Sequence, residues 1–142
     1  MPQGASGYLV FLSHSAIDAW VAGQLKREIG QRGAAVFLDE ASIDIGADFE
    51  EEILASLERA NELVVLLTPW AMERRYVWAE IGAAWGRRMP IVVLLHGIAI
   101  SELTQMANVP LLLKRRDMIE LNEVETYLDQ LERRIADHER NS

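Results

Sequence analysis

Short apolar runs alternate with amphipathic stretches along this chain. Tyr8-Leu-Val-Phe-Leu12 reads as a buried strand. From Asp18 to Gln31 the apolar residues fall at helical spacing, with Trp20, Val21, Leu25 and Ile29 on one side. Asp18 stands where the N-cap of an Ala19–Gln31 helix is expected. Gly33 breaks the chain, and Ala35-Val-Phe-Leu38 is a second strand. A polar loop runs to Gly46. Phe49 to Ala60 is helical in pattern, with Ile53, Leu54 and Leu57 facing inward. Leu63-Val-Val-Leu-Leu67 is a third strand, stopped by Thr68-Pro69. Tyr76 to Arg88 is a helix ended before Pro90, and Ile91-Val-Val-Leu-Leu95 is a fourth strand. The pattern then weakens: Ser101 to Ala107 reads as a short helix and Val109 to Leu113 as a fifth strand. Glu123 to about Glu139 closes the chain as a helix whose stripe is Val124, Tyr127, Leu128, Leu131 and Ile135.

Strands that are continuous apolar runs, separated by helices, imply a parallel sheet covered on both faces. Five β/α units in 142 residues fit a flavodoxin-like, doubly wound, five-stranded parallel sheet in one α/β domain. Residues 1–7 read as a disordered tail and 8–138 as the domain. Half of the chain is hydrophobic and a quarter charged, enough to build a core. No run reaches the ~20 apolar residues that span a bilayer, and the first residues lack the pattern of a secretory signal. There is no cysteine, which excludes disulfides and thiolate metal sites and fits a cytoplasmic protein.

The net charge of -8 argues against nucleic-acid binding by bulk electrostatics. The charge is uneven. Every charged residue from Asp39 to Glu58 is acidic, whereas the basic residues cluster as Arg74-Arg75, Arg87-Arg88 and Lys114-Arg115-Arg116. These are either solvated faces or complementary patches through which copies meet.

In doubly wound sheets ligands bind beyond the carboxyl ends of the strands, at the switch point. That edge collects Ser13-His14-Ser15, the Asp39 to Gly46 loop and Thr68-Pro69-Trp70. A Ser/His/Asp hydrolase is disfavoured: neighbours on an extended segment point opposite ways, and no Gly-x-Ser-x-Gly elbow is present. No glycine-rich phosphate loop follows the first strand. A phospho-acceptor receiver needs acids where Leu9-Val-Phe-Leu-Ser13 and Leu66-Leu-Thr68 stand. His14, His96 and His138 are scattered without ligand spacing, so no metal site is expected.

Glu80 stands out. In Tyr76-Val-Trp-Ala-Glu-Ile-Gly-Ala-Ala-Trp85 it is the only charge among three large aromatics. Val77, Ile81 and Ala84 form the stripe that would pack on the sheet, and Tyr76, Glu80, Ala83 and Arg87 form a neighbouring one. Glu80 is then either a surface residue paired with Arg87 or Arg75, or a carboxylate that stabilises developing positive charge while an aromatic stacks on a planar base.

Several motifs together resemble the Toll/interleukin-1 receptor (TIR) domain family. Phe11-Leu-Ser-His-Ser15, with Asp18 and Trp20 behind it, resembles the family's first motif. Val36-Phe-Leu-Asp39, running to Ile43-Asp-Ile-Gly46 and Phe49, is similar to its second strand and following loop. Leu63 to Pro69 is similar to its third strand and exit. Tyr76-Val-Trp-Ala-Glu80 resembles its aromatic-x-x-x-Glu signature. The resemblance implies a flavodoxin-like fold and, in one branch, cleavage of NAD+ at the nicotinamide–ribose bond to give nicotinamide and ADP-ribose or a cyclic isomer. It implies that Glu80 is the catalytic carboxylate and that NAD+ is a substrate, with no separate cofactor. Ser13, His14 and Ser15 would line the pocket, Asp39 and Asp44 would lie in the gating loop, and Phe49, Tyr76 and Trp78 would be aromatic contacts. Head-to-tail association with other TIR domains is implied as well, with neither nucleic acid nor membrane as a partner. Arginines common after the first strand in active members are replaced by His14, Ser15 and Ala16. The C-terminal Phe-Trp motif of animal signalling members is absent, which points to a bacterial protein, with anti-phage signalling as the expected setting. The alternative the resemblance allows is a TIR–TIR interaction module without catalysis.

Overall fold

The computed structural model describes residues 7–38, 55–99, 101–102 and 118–141. Five strands, β1 (Leu9–Ser13), β2 (Ala35–Leu38), β3 (Glu62–Leu67), β4 (Ile91–Leu95) and β5 (Met118–Glu120), form one sheet in the order β2-β1-β3-β4-β5. Every pairing is parallel. This is the doubly wound order, with its switch point between β1 and β3, where the chain turns from building one side of the sheet to the other. Helix α1 is Ala19–Gln31, and α2 is described over residues 55–59. Helix α3 is Arg75–Gly86, and α4, Val124–Arg140, closes the chain.

The period of two along each strand divides the core into two layers. Phe11, Leu63, Val65, Leu67, Val93 and Leu95 face Leu57 of α2 and Val77, Ile81 and Ala84 of α3. Val10, Leu12, Val64, Leu66 and Leu94 face Ala22, Leu25 and Ile29 of α1 and Tyr127, Leu128, Leu131 and Ile135 of α4. β1 to β2 steps one way across the sheet and β3 to β4 the other. Right-handed crossovers then demand helices on opposite faces, and α1 and α3 lie on opposite faces. Strand β3, at the centre, is buried throughout, so both faces of its apolar run are used. Truncating Ile81 or Leu66 to alanine would cost roughly 2–5 kcal/mol.

Three details depart from the expectations. The last described strand is Met118–Glu120, which the apolar pattern did not predict; the expected strand Val109–Leu113 lies outside the described residues. β5 is short and carries only Met118 and Ile119 as apolar residues. Trp20 does not join the buried stripe of α1; it is 75% exposed, and Ala22 takes the inward position beside Leu25 and Ile29. Asp18 holds the N-cap position of α1, but its side chain makes no capping bond.

At the far end of α3 the chain reverses through Arg88, which has φ +58°. The Met89 N–H reaches the Ala84 carbonyl (3.0 Å) and the Arg88 N–H reaches that of Trp85 (3.0 Å), so the helix ends in a left-handed closure usually given to glycine.

Candidate active site

Ser13 is the last residue of β1 and pairs in register with Val65 of β3. Two residues after Phe11, its side chain points to the face covered by α3. On α3, Glu80 comes three residues after Val77 and four before Ala84, so it belongs with the inward-facing side of that helix. The two meet: the Ser13 hydroxyl donates to Glu80 Oε1 at 2.8 Å. Glu80 is 3% exposed and Ser13 fully buried, which rules out the surface-glutamate alternative. Arg87, one of its candidate surface partners, instead donates to the Leu57 carbonyl. A hydrogen bond to an ionised group contributes about 1.5–3 kcal/mol, which offsets part of the cost of taking a carboxylate out of water.

Behind Ser13 lies a second buried carboxylate. Asp18 Oδ2 accepts the Ser15 hydroxyl (2.6 Å) and the Thr68 hydroxyl (2.6 Å). These distances belong to charge-assisted O–H···O⁻ bonds. Thr68 Oγ1 in turn accepts the Ala71 N–H at 3.1 Å, at the turn that leads into α3. His14, Ser15, Asp18 and Thr68 are all buried. Sequence reasoning placed Ser15 and Thr68 at this edge but did not pair Asp18 with Thr68, which lies 50 residues away and has no local signature.

The sequence-derived site residues thus separate into groups. Ser13, His14 and Ser15 lie at the carboxyl end of β1, where Ser13 binds Glu80 and Ser15 binds Asp18. Trp78 is half-buried, packs against the α3-side core, and donates its indole N–H to the Met72 carbonyl at 3.0 Å. It precedes Glu80 by two residues, about 200° around the helix. Tyr76 lies in the first turn of α3, with its side chain outside what is described. Asp39, Asp44 and Phe49 also lie outside the described residues.

The opposite edge of the sheet holds a feature that sequence reasoning missed. Glu62, the first residue of β3, is fully buried. It accepts the hydroxyls of Tyr8 (2.6 Å) and Tyr127 (2.6 Å) and two guanidinium N–H groups of Arg134 (2.7 and 3.1 Å). Tyr127 and Arg134 are seven residues apart, two turns, and so share one face of α4. Burial, reinforced by Glu62, pushes both phenols above their ordinary range. Burial works against the charge on Arg134, but the hydrogen bond and charge of Glu62, together with the two tyrosines, outweigh it and hold the guanidinium above the ordinary arginine value.

Among the described residues, no group of three or more His, Cys, Asp or Glu could hold a metal ion, and no helix is long and apolar enough to cross a membrane.

The five-stranded parallel sheet in the order β2-β1-β3-β4-β5 makes this a flavodoxin-like α/β domain. The particular family follows from comparison: the chain belongs to the TIR domain family, whose model matches residues 10–135. It is similar to a Brachypodium distachyon protein named "Probable 2' cyclic ADP-D-ribose synthase BdTIR", at 28% identity over 102 residues, covering 70% of this chain and 46% of that protein. This chain therefore spans about half the length of that relative. In structure it is similar to the TIR domain of the Toll-related receptor TRR-2 from Hydra magnipapillata, with a TM-score of 0.63 at 19% identity over 89% of this chain and 97% of that one. It is also similar to a 2-desoxiribosyltransferase from Leishmania mexicana, with a TM-score of 0.54 at 11% identity over 72% of this chain and 75% of that one. These structural likenesses show the fold.

Proposed function

We propose that this chain is a TIR-domain NAD+ nucleosidase in which Glu80 is the catalytic carboxylate. The observation that carries the reading is the burial of Glu80 against Ser13 at the switch point. The name of the Brachypodium relative supports the same substrate class. In the reaction the bond between ribose C1′ and the nicotinamide nitrogen breaks, and its electron pair goes to the ring, which leaves neutral. C1′ gains oxocarbenium character. A carboxylate beside it stabilises that charge, as the carboxylates of glycosidases do. Water then adds to C1′ and loses a proton to give ADP-ribose, or a hydroxyl of the same molecule closes a cyclic isomer. No general acid is required, since the leaving group departs without protonation.

NAD+ consumption with product identification tests the reading, for wild type and Glu80→Ala at high protein concentration with a crowding agent. Turnover by wild type alone supports it, and the product distinguishes hydrolase from cyclase. Equal turnover by both proteins would overturn the assignment of Glu80. The setting we propose, bacterial anti-phage signalling, rests on the family resemblance.

A second reading has its own observation. Ile17 and Trp20, three residues apart where the chain enters α1, are 62% and 75% exposed, and neighbouring large apolar groups kept in water favour contact with another surface. They support self-association of TIR domains, either as a step that accompanies catalysis or as the sole role of the domain. Sedimentation of wild type and Trp20→Ser tests it: an unchanged monomer at all concentrations would remove this support.

A further inference from the structure

The bond from Thr68 to Asp18 joins the segments that leave two neighbouring strands. Asp18 sits in the short turn between β1 and α1, and Thr68 follows the end of β3. β1 and β3 are neighbours across the switch point, so this one carboxylate spans the base of the crevice in which a ligand is expected.

The bonds also close a ring. From Ser13 the chain runs through His14 to Ser15, whose hydroxyl binds Asp18. The Asp18 N–H binds back to the Ser15 carbonyl at 3.0 Å. Asp18 accepts from Thr68, and Thr68 holds the next turn twice, through its hydroxyl to the Ala71 N–H and through its carbonyl to the Met72 N–H. That turn leads into α3, which carries Glu80, and Glu80 accepts from Ser13. Asp18 stands at the N-cap position of α1 yet leaves the helix uncapped. Its carboxylate is committed to the ring instead.

We infer that Asp18 is a positioning residue for Glu80. It touches neither Ser13 nor Glu80 in the contacts described. By fixing Ser15 on one side and Thr68 on the other, it sets the distance between the end of β1 and the start of α3, and therefore the seat of the Ser13–Glu80 pair. Its kinetic consequence rests on the NAD+ reading above; its structural consequence does not.

The test uses Asp18→Asn, which keeps the shape but replaces one acceptor oxygen by a donor, and Thr68→Val, which removes only one of the two hydroxyls. The second variant keeps the proposal testable if the first does not fold. In both, kcat for NAD+ is expected to fall about 10- to 100-fold with KM within about twofold, because a displaced catalytic group loses transition-state rather than ground-state contacts. Thr68→Ser, which retains the hydroxyl, is expected to restore kcat to within about threefold of wild type. Crystal structures of the variants are expected to show the Ser13 Oγ–Glu80 distance lengthened beyond hydrogen-bond range. An unchanged distance, or a fall in melting temperature with kcat per folded molecule intact, would overturn the inference and leave Asp18 a residue of stability alone. If wild type and variants are all inert toward NAD+, the functional reading fails, and the crystallographic distance still decides the role of Asp18.

Discussion

The sheet has a buried glutamate at each edge, and the two are treated differently. Glu62, at the amino edge, is held by a guanidinium and two phenols, four hydrogen bonds in all. Its partners come from the residue before β1 and from α4, so it staples the closing helix to the centre of the sheet. Glu80, at the carboxyl edge, is held by a serine hydroxyl from the end of a strand. Hydroxyls from strand ends orient a carboxylate without cancelling its charge. An arginine cancels it. The Ser13 hydroxyl suits the role proposed for Glu80 beside a cation-like transition state, and the guanidinium and phenols on Glu62 suit a role in holding the fold. Both glutamates are buried, so burial alone does not mark a functional carboxylate.

The sharpest way to break this comparison is to exchange the effects. Glu80→Ala is expected to lower NAD+ turnover by about 10²- to 10³-fold or more while costing less unfolding free energy than Glu62→Gln, since relief of a buried carboxylate opposes the loss of its bond to Ser13. Urea titration beside the turnover assay checks both halves. Glu62→Gln is expected to do the reverse. It should cost about 3 kcal/mol, at the low end for a broken buried pair because the Arg134 side chain is 29% exposed. Turnover per folded molecule should not change. A Glu62 variant that loses turnover while fully folded would erase the distinction.

Alkaline titration sharpens it further. Tyr8 and Tyr127 have folded-state values raised above the ordinary phenol value of about 10, through burial first and Glu62 second. The fold thus favours the neutral phenols. Their contribution is present below pH ~10 and is lost as pH rises from there toward the folded values. The melting temperature of wild type should therefore fall above pH ~10, and Tyr127→Phe should flatten that fall. The smallest effect is expected from Arg88→Gly. Relief of the left-handed conformation at the end of α3 should stabilise the fold by about 1 kcal/mol and leave turnover untouched, which separates the stability of α3 from its chemistry.

Most of the fold could be read from the sequence because the signals are local. Four strands are unbroken apolar runs, and the stripes of α3 and α4 are the ones that pack on the sheet. Strand β5 was not legible, since a three-residue edge strand with two apolar residues carries too short a pattern to register. Trp20 was misplaced by being grouped with Leu25 and Ile29, although steps of five and nine residues put it on the opposite side of α1. In the candidate site, Glu80 was legible as an anomaly and its burial was not, since spacing put it at the margin of the stripe. The Asp18–Thr68 and Glu62–Arg134 bonds join residues 50 and 72 apart, and nothing local in either partner announces the other.

The central claim is tested most directly by NAD+ turnover of wild type, Glu80→Gln and Glu62→Gln, measured together under conditions where all three are folded. The account predicts turnover by wild type and Glu62→Gln and its loss in Glu80→Gln, in which the shape and the bond to Ser13 can be kept but the charge is gone. Turnover by Glu80→Gln at the wild-type rate would contradict it.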